Sequence, residues 1–281
     1  MFEFLGSEAG VRLICFAVVL TLMAVWESLA PRRAIQIGRQ IHWTNNIGLA
    51  LLNTLALRLI VPIGAIGFAI FVESNNWGLF NLWPVPNWLS ILICVIFLDL
   101  VVYGQHVLFH AIPLLWRLHM VHHADMEFDV TTGLRFHTIE IILSMGFKCA
   151  AIIVLGAPFL SVLIFEVLLN ATSMFNHSNV WMPAAVDRTL RWFLVTPDMH
   201  RIHHSTVPTE TNSNFGFNVP WWDRLLGTYC HEPIHGQSEM MIGLEQFRDP
   251  RRLTLIGIIL LPFLGTPGRY PLLRKDKDAR P

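Results

Sequence analysis

The stretch Leu89–Ile112, LSILICVIFLDLVVYGQHVLFHAI, decides how the whole chain is read. It is apolar apart from a few polar positions and long enough to cross a bilayer, since about 20 helical residues at ~1.5 Å each cover the hydrocarbon core. Its far end carries His106 and His110, spaced i, i+4, which a helix sets one turn apart on one face; Asp99 and Tyr103 continue that stripe. A membrane helix ending in two imidazoles raises the question of what they face.

Working outward, the same residue type recurs in RLHMVHHADM (Arg117–Met126), with His119, His122 and His123, and in TPDMHRIHHS (Thr196–Ser205), with His200, His203 and His204. In H-x-x-H-H the first, fourth and fifth positions share a helix face, so one turn can aim three imidazoles at one place. His137 in RFHTIE and His177 in FNHSNV stand singly near these clusters, whereas His42, His231 and His235 fall outside them and read as ordinary surface or core histidines.

Composition supports a membrane setting. Of 281 residues 53% are hydrophobic and 14% charged, against about 25% charged in an ordinary soluble domain, and the mean hydropathy is +0.50. Twenty basic residues balance twenty acidic ones, so charge gives no argument for nucleic acid. The four cysteines, Cys15, Cys94, Cys149 and Cys230, show no paired spacing, which argues against a disulfide framework or a thiolate metal site. The acidic N-terminus does not read as a signal peptide, so the first apolar run is expected to be retained.

That run, Leu13–Trp26, is a first span; Asn46–Val72 is a second and Leu89–Ile112 the third. Thr138–Ala157 and Phe159–Met174 join at Gly156–Pro158 and predict a membrane hairpin. Leu253–Leu264 is short and holds Pro262, so it predicts an interfacial or re-entrant helix. The expected fold is all-α: a single membrane domain over 1–281, an integral bundle of four to five membrane helices under a histidine-rich helical cap. Membrane helices 1–3 occupy 10–112, the first histidine region 106–137, the hairpin 138–174, the second histidine region 175–235, and an interfacial segment and tail 236–281.

Arg32, Arg33, Arg39, Arg117, Arg135, Arg188, Arg191 and Arg201 follow spans, while Glu73–Asn87 has no Lys or Arg, so the positive-inside rule puts every clustered histidine on the cytoplasmic side. That membrane would be a bacterial inner membrane or the endoplasmic reticulum. Within the spans, Arg58 and Asp99 lie at one depth, as do Lys148 and Glu166, and each pair is expected to meet, because a lone charge in lipid is costly.

Eight to ten imidazoles without a thiolate suit two ions with open positions, but imidazole accepts Zn, Cu, Fe and Ni alike. One task for such a pair beside lipid is O2 activation against an unactivated C–H bond. The rival readings are a zinc-dependent lipid hydrolase with Asp125, Glu127 or Asp198 as base, and a metal transporter, which would need ligands along a path through the midplane.

The spacings His106-x3-His110, His119-x2-His122-His123, Asn176-His177 and His200-x2-His203-His204 resemble the fatty acid hydroxylase and sterol desaturase superfamily, as do DLVVYGQHVLFH, RFHTIE and NFGFNVPWWDRLLGTY; the likeness runs from about Asp99 to Tyr229 and departs from many relatives around Gln105. The resemblance implies a membrane di-iron oxygenase of lipid biosynthesis. It would use O2 and two electrons to hydroxylate, or desaturate, a fatty acyl chain, sterol or similar lipid, with zinc able to replace iron on purification. By matched position His106, His110, His119, His122, His123, His177, His200, His203 and His204 would be catalytic ligands, His137 a tenth metal ligand, and Asp99, Tyr103, Glu140 and Asn214 residues that orient them. It also implies a separate electron donor, a ferredoxin or a cytochrome of the b5 kind with its reductase. A basic face of Arg117, Arg188, Arg191, Arg201 and Arg224 could dock that donor, although the positive-inside rule already accounts for those arginines.

Overall fold

A computed structural model describes residues 7–35, 38–83, 85–250 and 254–273, and among these the secondary structure is helical, with two isolated bridges and no strand. In chain order the principal helices are α1 (Glu8–Leu29), α2 (Arg39–Ile60), α3 (Gly64–Ser74), α4 (Asn87–Ala111), α5 (Pro113–His123), α6 (Thr138–Leu155), α7 (Phe159–Asn176), α8 (Ala184–Leu190), α9 (Pro197–His203) and α10 (Leu255–Leu264). Shorter helical turns lie at Leu79–Leu82, Pro208–Thr211, Trp221–Leu226 and Gly236–Glu239. Among the described residues five segments are long and apolar enough to cross a membrane: α1, the broken helix 39–82, α4, α6 and α7.

The second span is not one straight helix. Pro62, which has no N–H to donate, and Gly64 at φ 62° end α2 and start α3. The hairpin forms as expected: Gly156 takes φ 64° and its N–H caps onto Ile152 O, and Pro158 opens α7. Gly78 lies against this tip, where a Cβ would sit 2.1 Å from Gly156 N, so the link after α3 closes the end of the bundle away from the histidines. Val72, Cys94, Leu98, Ile152 and Phe165 form the apolar core between α3, α4, α6 and α7.

The two expected intramembrane pairs come out differently. Lys148 Nζ lies 2.7 Å from Glu166 Oε1, and Arg12 of α1 joins at 3.1 Å, so three helices share one buried carboxylate. Arg58 and Asp99 do not pair. Arg58 stays exposed and donates weakly to Pro62 O, because the break at Pro62 offers that carbonyl one turn away; Asp99 instead accepts from Trp222 Nε1 at 2.8 Å.

At the histidine end, α2 presents His42, Asn46, Leu49 and Asn53 as one buried stripe. His42 bridges Asp125 (2.8 Å) and Asp129 (3.0 Å), Asn46 donates to Thr131, and Asn53 donates to Phe136 O. This polar stripe fixes the loop between α5 and α6. α10 packs on α5 and α2 through Ile258 and Leu261, while Ile256, Phe263 and Leu264 stay exposed.

Candidate metal centre

Both H-x-x-H-H triplets come to the same end of the bundle, beside His106 and His110, on elements that start where the sequence demands. Pro113 opens α5, and Thr196 caps α9 by accepting from Met199 N with Pro197 in its first turn. Nine histidines form two adjacent groups, His106, His110, His119, His123 and His203 in one and His122, His177, His200 and His204 in the other; within each, one ring nitrogen per residue lies within 4.8 Å of the others. None is more than 2% exposed.

Each triplet serves both groups. His119 and His123 (i, i+4) turn to the first group and His122 (i+3) to the second; His200 and His204 turn to the second and His203 to the first. At 3.6 residues per turn, i+4 lies only about 40° from i, while i+3 lies about 60° to the other side and about 100° from i+4. One turn therefore straddles two centres, and the repeat exists because each centre draws two imidazoles from one triplet and one from the other.

The surroundings fix the tautomers. His106 Nδ1–H donates to Phe215 O (2.7 Å), His203 Nδ1–H to Ser213 O (2.7 Å), His119 Nδ1–H to Glu140 Oε1 (2.6 Å) and His110 Nδ1–H to Asn212 Oδ1 (3.1 Å), whose amide is oriented by donating to Tyr270 O. In the second group His177 donates to Ser173 O (2.7 Å) and His122 to Arg135 O (3.2 Å). With Nδ1 as the donor, a neutral imidazole presents a lone pair at Nε2.

Those lone pairs face each other. Nε2 of His106 lies 3.0 Å from Nε2 of both His119 and His203, and Nε2 of His122 lies 3.1 Å from Nε2 of His177. Two acceptors at that distance repel unless a cation lies between them. Burial and the neighbouring imidazoles also hold the rings outside the spans neutral: His119 and His177 are lowered to about 3, chiefly by burial, and His122, His123, His200, His203 and His204 lie well below the ordinary value for the same first cause. Nδ1 of His123 and His200 and both nitrogens of His204 have no hydrogen-bond partner. Neutral, convergent, under-partnered nitrogen donors fit a pair of metal ions, since nitrogens ~2.1 Å from one ion and at right angles to each other stand about 3 Å apart.

The other expected site residues lie as follows. His137 joins neither group: its Nδ1 accepts from Ile139 N as the cap of α6, and its Nε2 meets Ile259 O of α10 at 3.2 Å, because the position just before a helix turns the side chain back onto the helix's own N–H groups. Glu140 touches a histidine directly. Asn214, at φ 52°, acts through its neighbours: its amide donates to Met199 O and Cys230 O and accepts from Cys230 N, which pins the strap 212–215 whose acceptors hold His110, His203 and His106. Tyr103 bonds Thr228 (2.9 Å) and Asp99 bonds Trp222, so neither touches a site histidine by hydrogen bond. Gln105 ties α4 to α6 through Ser144.

Six supports lay outside the sequence reading: four backbone carbonyls, the Asn212 side chain that holds His110, and Asp223. The acceptors from Ser173, Arg135, Ser213 and Phe215 are backbone carbonyls, which every residue carries, so no residue type marks them. Asp223 acts one step further out: its carboxylate accepts from Phe215 N and Gly216 N and so fixes the strap from behind. Among the arginines of the expected basic face only Arg188 is exposed. Arg201 is buried against Asp198, Arg191 pairs with Asp187, Arg117 donates to Pro262 O and Gly265 O, and Arg224 donates to Arg191 O.

A bundle of membrane-length helices that gathers two groups of metal-competent histidines at one end defines the class: a metal-binding integral membrane protein. Residues 91–228 match the fatty acid hydroxylase family. An ornithine lipid hydroxylase of Rhizobium tropici is 27% identical over 85% of this chain and 74% of its own length. An alkylglycerol monooxygenase of Xenopus tropicalis is 29% identical over 69% of this chain and 42% of its own, and a cholesterol 25-hydroxylase of Rattus norvegicus 28% over 49% and 46%. The match thus spans under half the length of the latter two. No solved structure matches. The chain belongs to the fatty acid hydroxylase superfamily and, with it, to the membrane oxidoreductases.

The rival readings find no support. Among the described residues no carboxylate joins either histidine group. Of the candidate hydrolytic bases, Asp125 is engaged by His42 and Asp198 by Arg32 and Arg201.

Proposed function

We propose that this chain is a membrane monooxygenase that hydroxylates an unactivated C–H bond in the alkyl part of a lipid: R–H, O2, two electrons and two protons give R–OH and water. The observation that carries the reading is the set of facing Nε2 lone pairs in two adjacent groups, on a chain whose relatives are named hydroxylases and monooxygenases of ornithine lipid, alkylglycerol and cholesterol. The nine histidines of the two groups would hold two irons, which, when bound and reduced, supply the O2 chemistry.

The chain's own part is to hold, shield and orient. The carbonyls of Phe215, Ser213, Arg135 and Ser173 and the side chains of Glu140 and Asn212 keep the Nδ1 protons in place, so that each ring offers Nε2 inward. Aromatic rings exclude water. Phe136 stacks on His122 at 4.3 Å, and Phe217 lies 5.2 Å from His106 and 5.9 Å from His200, so this pair covers both groups. Phe136 is half-buried, unlike Phe109, Trp116, Phe128 and Phe215 around the same histidines, and sits just before α6 enters the bundle, which suits approach of an alkyl chain from the membrane side.

The two electrons come from a separate donor, and the histidine end faces the cytoplasm; the arginines gathered at that end and the absence of Lys and Arg from 73–87 support that orientation. The test is O2 uptake by iron-loaded protein with a chemical reductant and a membrane lipid extract, with oxygen-18 traced into the products. Reductant-dependent uptake with a lipid 16 mass units heavier (18 with oxygen-18) is expected. Lipid cleavage without O2 uptake would overturn the reading.

A further inference from the structure

We propose that Trp192, Phe193 and the helical turn Trp221–Leu226 form a ledge that seats in the apolar zone of the bilayer beside α4, so that the histidine cap is inserted into the membrane rather than resting above it. This inference rests on the membrane spans and not on the oxygenase reading.

Depth is the first argument. Trp222 Nε1 donates to Asp99 (2.8 Å) and Tyr103 OH meets Thr228 (2.9 Å), which lays the segment along α4. Asp99 precedes His106 by seven residues, or about 10 Å along the helix toward the middle of the membrane at ~1.5 Å per residue. On the other side, Asn218 bonds Thr172 of α7, more than a turn on the membrane side of His177. Two separate spans therefore hold the segment below the level of the histidines.

Exposure is the second. Leu225 is 73% exposed, Leu226 60%, Phe193 62%, Trp192 58% and Trp221 41%. The cation among them is engaged within the segment rather than left free: Arg224 stacks over Trp192 (4.4 Å) and Tyr229 (4.0 Å) and donates to Arg191 O. The exposed Trp221 spends its indole N–H on Trp192 O, so it presents no donor that asks for water. Leu92 and Ile96, exposed on α4, share the helical stripe of Asp99 and Tyr103 along which the segment lies, so the face continues an apolar side of that span. Lipid is the occupant that this continuity and depth select, and an insertion of roughly 5–10 Å is what interfacial helices achieve.

A nitroxide on Leu225→Cys or Leu226→Cys in the full chain tests the ledge. Each variant is reconstituted into phosphatidylcholine vesicles, with the labelled wild-type chain as the cysteine background and Ile234→Cys, at a position 68% exposed on the cap, as reference. Relaxation by O2 should exceed relaxation by a water-soluble nickel chelate at 225 and 226, with a ratio several-fold above that at 234. Nickel access equal to that at 234 would place the turn in water, and shielding from both agents would mean a protein partner; either overturns the proposal. Unchanged metal content in both variants separates this outcome from any failure of the metal site.

Discussion

The two histidine groups are built from the same pieces but held to different degrees. In the five-member group four of the rings have Nδ1 anchored, three of them by the strap 212–215 and one by Glu140. In the four-member group only His122 and His177 are anchored, while His200 and His204 have free Nδ1 atoms. Anchored rings are preorganised and lose little freedom on binding, so the five-member group should be the tighter site and the four-member group the more exchangeable one.

The largest effect should come from removing a ring that meets two neighbours. His106→Ala should lower bound metal from two ions per chain to one or none and cut hydroxylation at least about 100-fold, the upper range for lesser losses around a metal. Elemental analysis and product formation read this out. If metal stays at two, the grouping is wrong. Next, Glu140→Gln and Asn214→Ala should each weaken metal binding by about 10–100-fold at the five-member group alone. Under a chelator series the wild-type chain should lose one ion well before the other, and these variants should bring the two losses together. A single concerted loss in the wild-type chain would erase the difference between the groups.

How much of this was legible follows from where the information sits. Spans and histidine clusters are written in residue type and period, so α1, α4, the hairpin and all nine grouped rings could be picked out from the sequence. His137 could not be sorted by type, because a helix cap and a metal ligand both use an imidazole nitrogen. The division of each triplet between two centres depends on a 3.6-residue turn meeting elements far apart in the chain. The break at Pro62 was visible as a proline, but its consequence for Arg58 and Asp99 depended on Trp222, a residue 123 positions from Asp99.

Acidification gives a third, smaller handle. His119 and His177 are held near 3 in the folded chain by burial, below their ordinary value of 6.5. Between those values the unfolded chain takes up protons that the folded chain refuses, so stability is complete above pH 6.5 and falls as pH drops toward 3. The metal-free protein should therefore melt lower at pH 5 than at pH 7, with bound metal reducing the difference. Equal melting at both would show that the rings are already protonated or solvated. The smallest effect belongs to His137→Ala: loss of a helix cap, about 1 kcal/mol, with two ions still bound. Loss of an ion in this variant would return His137 to the ligand set.

The central claim is that nine neutral imidazoles hold two ions at one end of a membrane bundle. Metal stoichiometry of the purified chain, measured together with X-ray absorption at the bound metal's edge, tests it most directly. Two ions per chain in a nitrogen-dominated shell is the predicted result; one ion or none after reconstitution with ferrous iron, or a shell of sulfur, would contradict it.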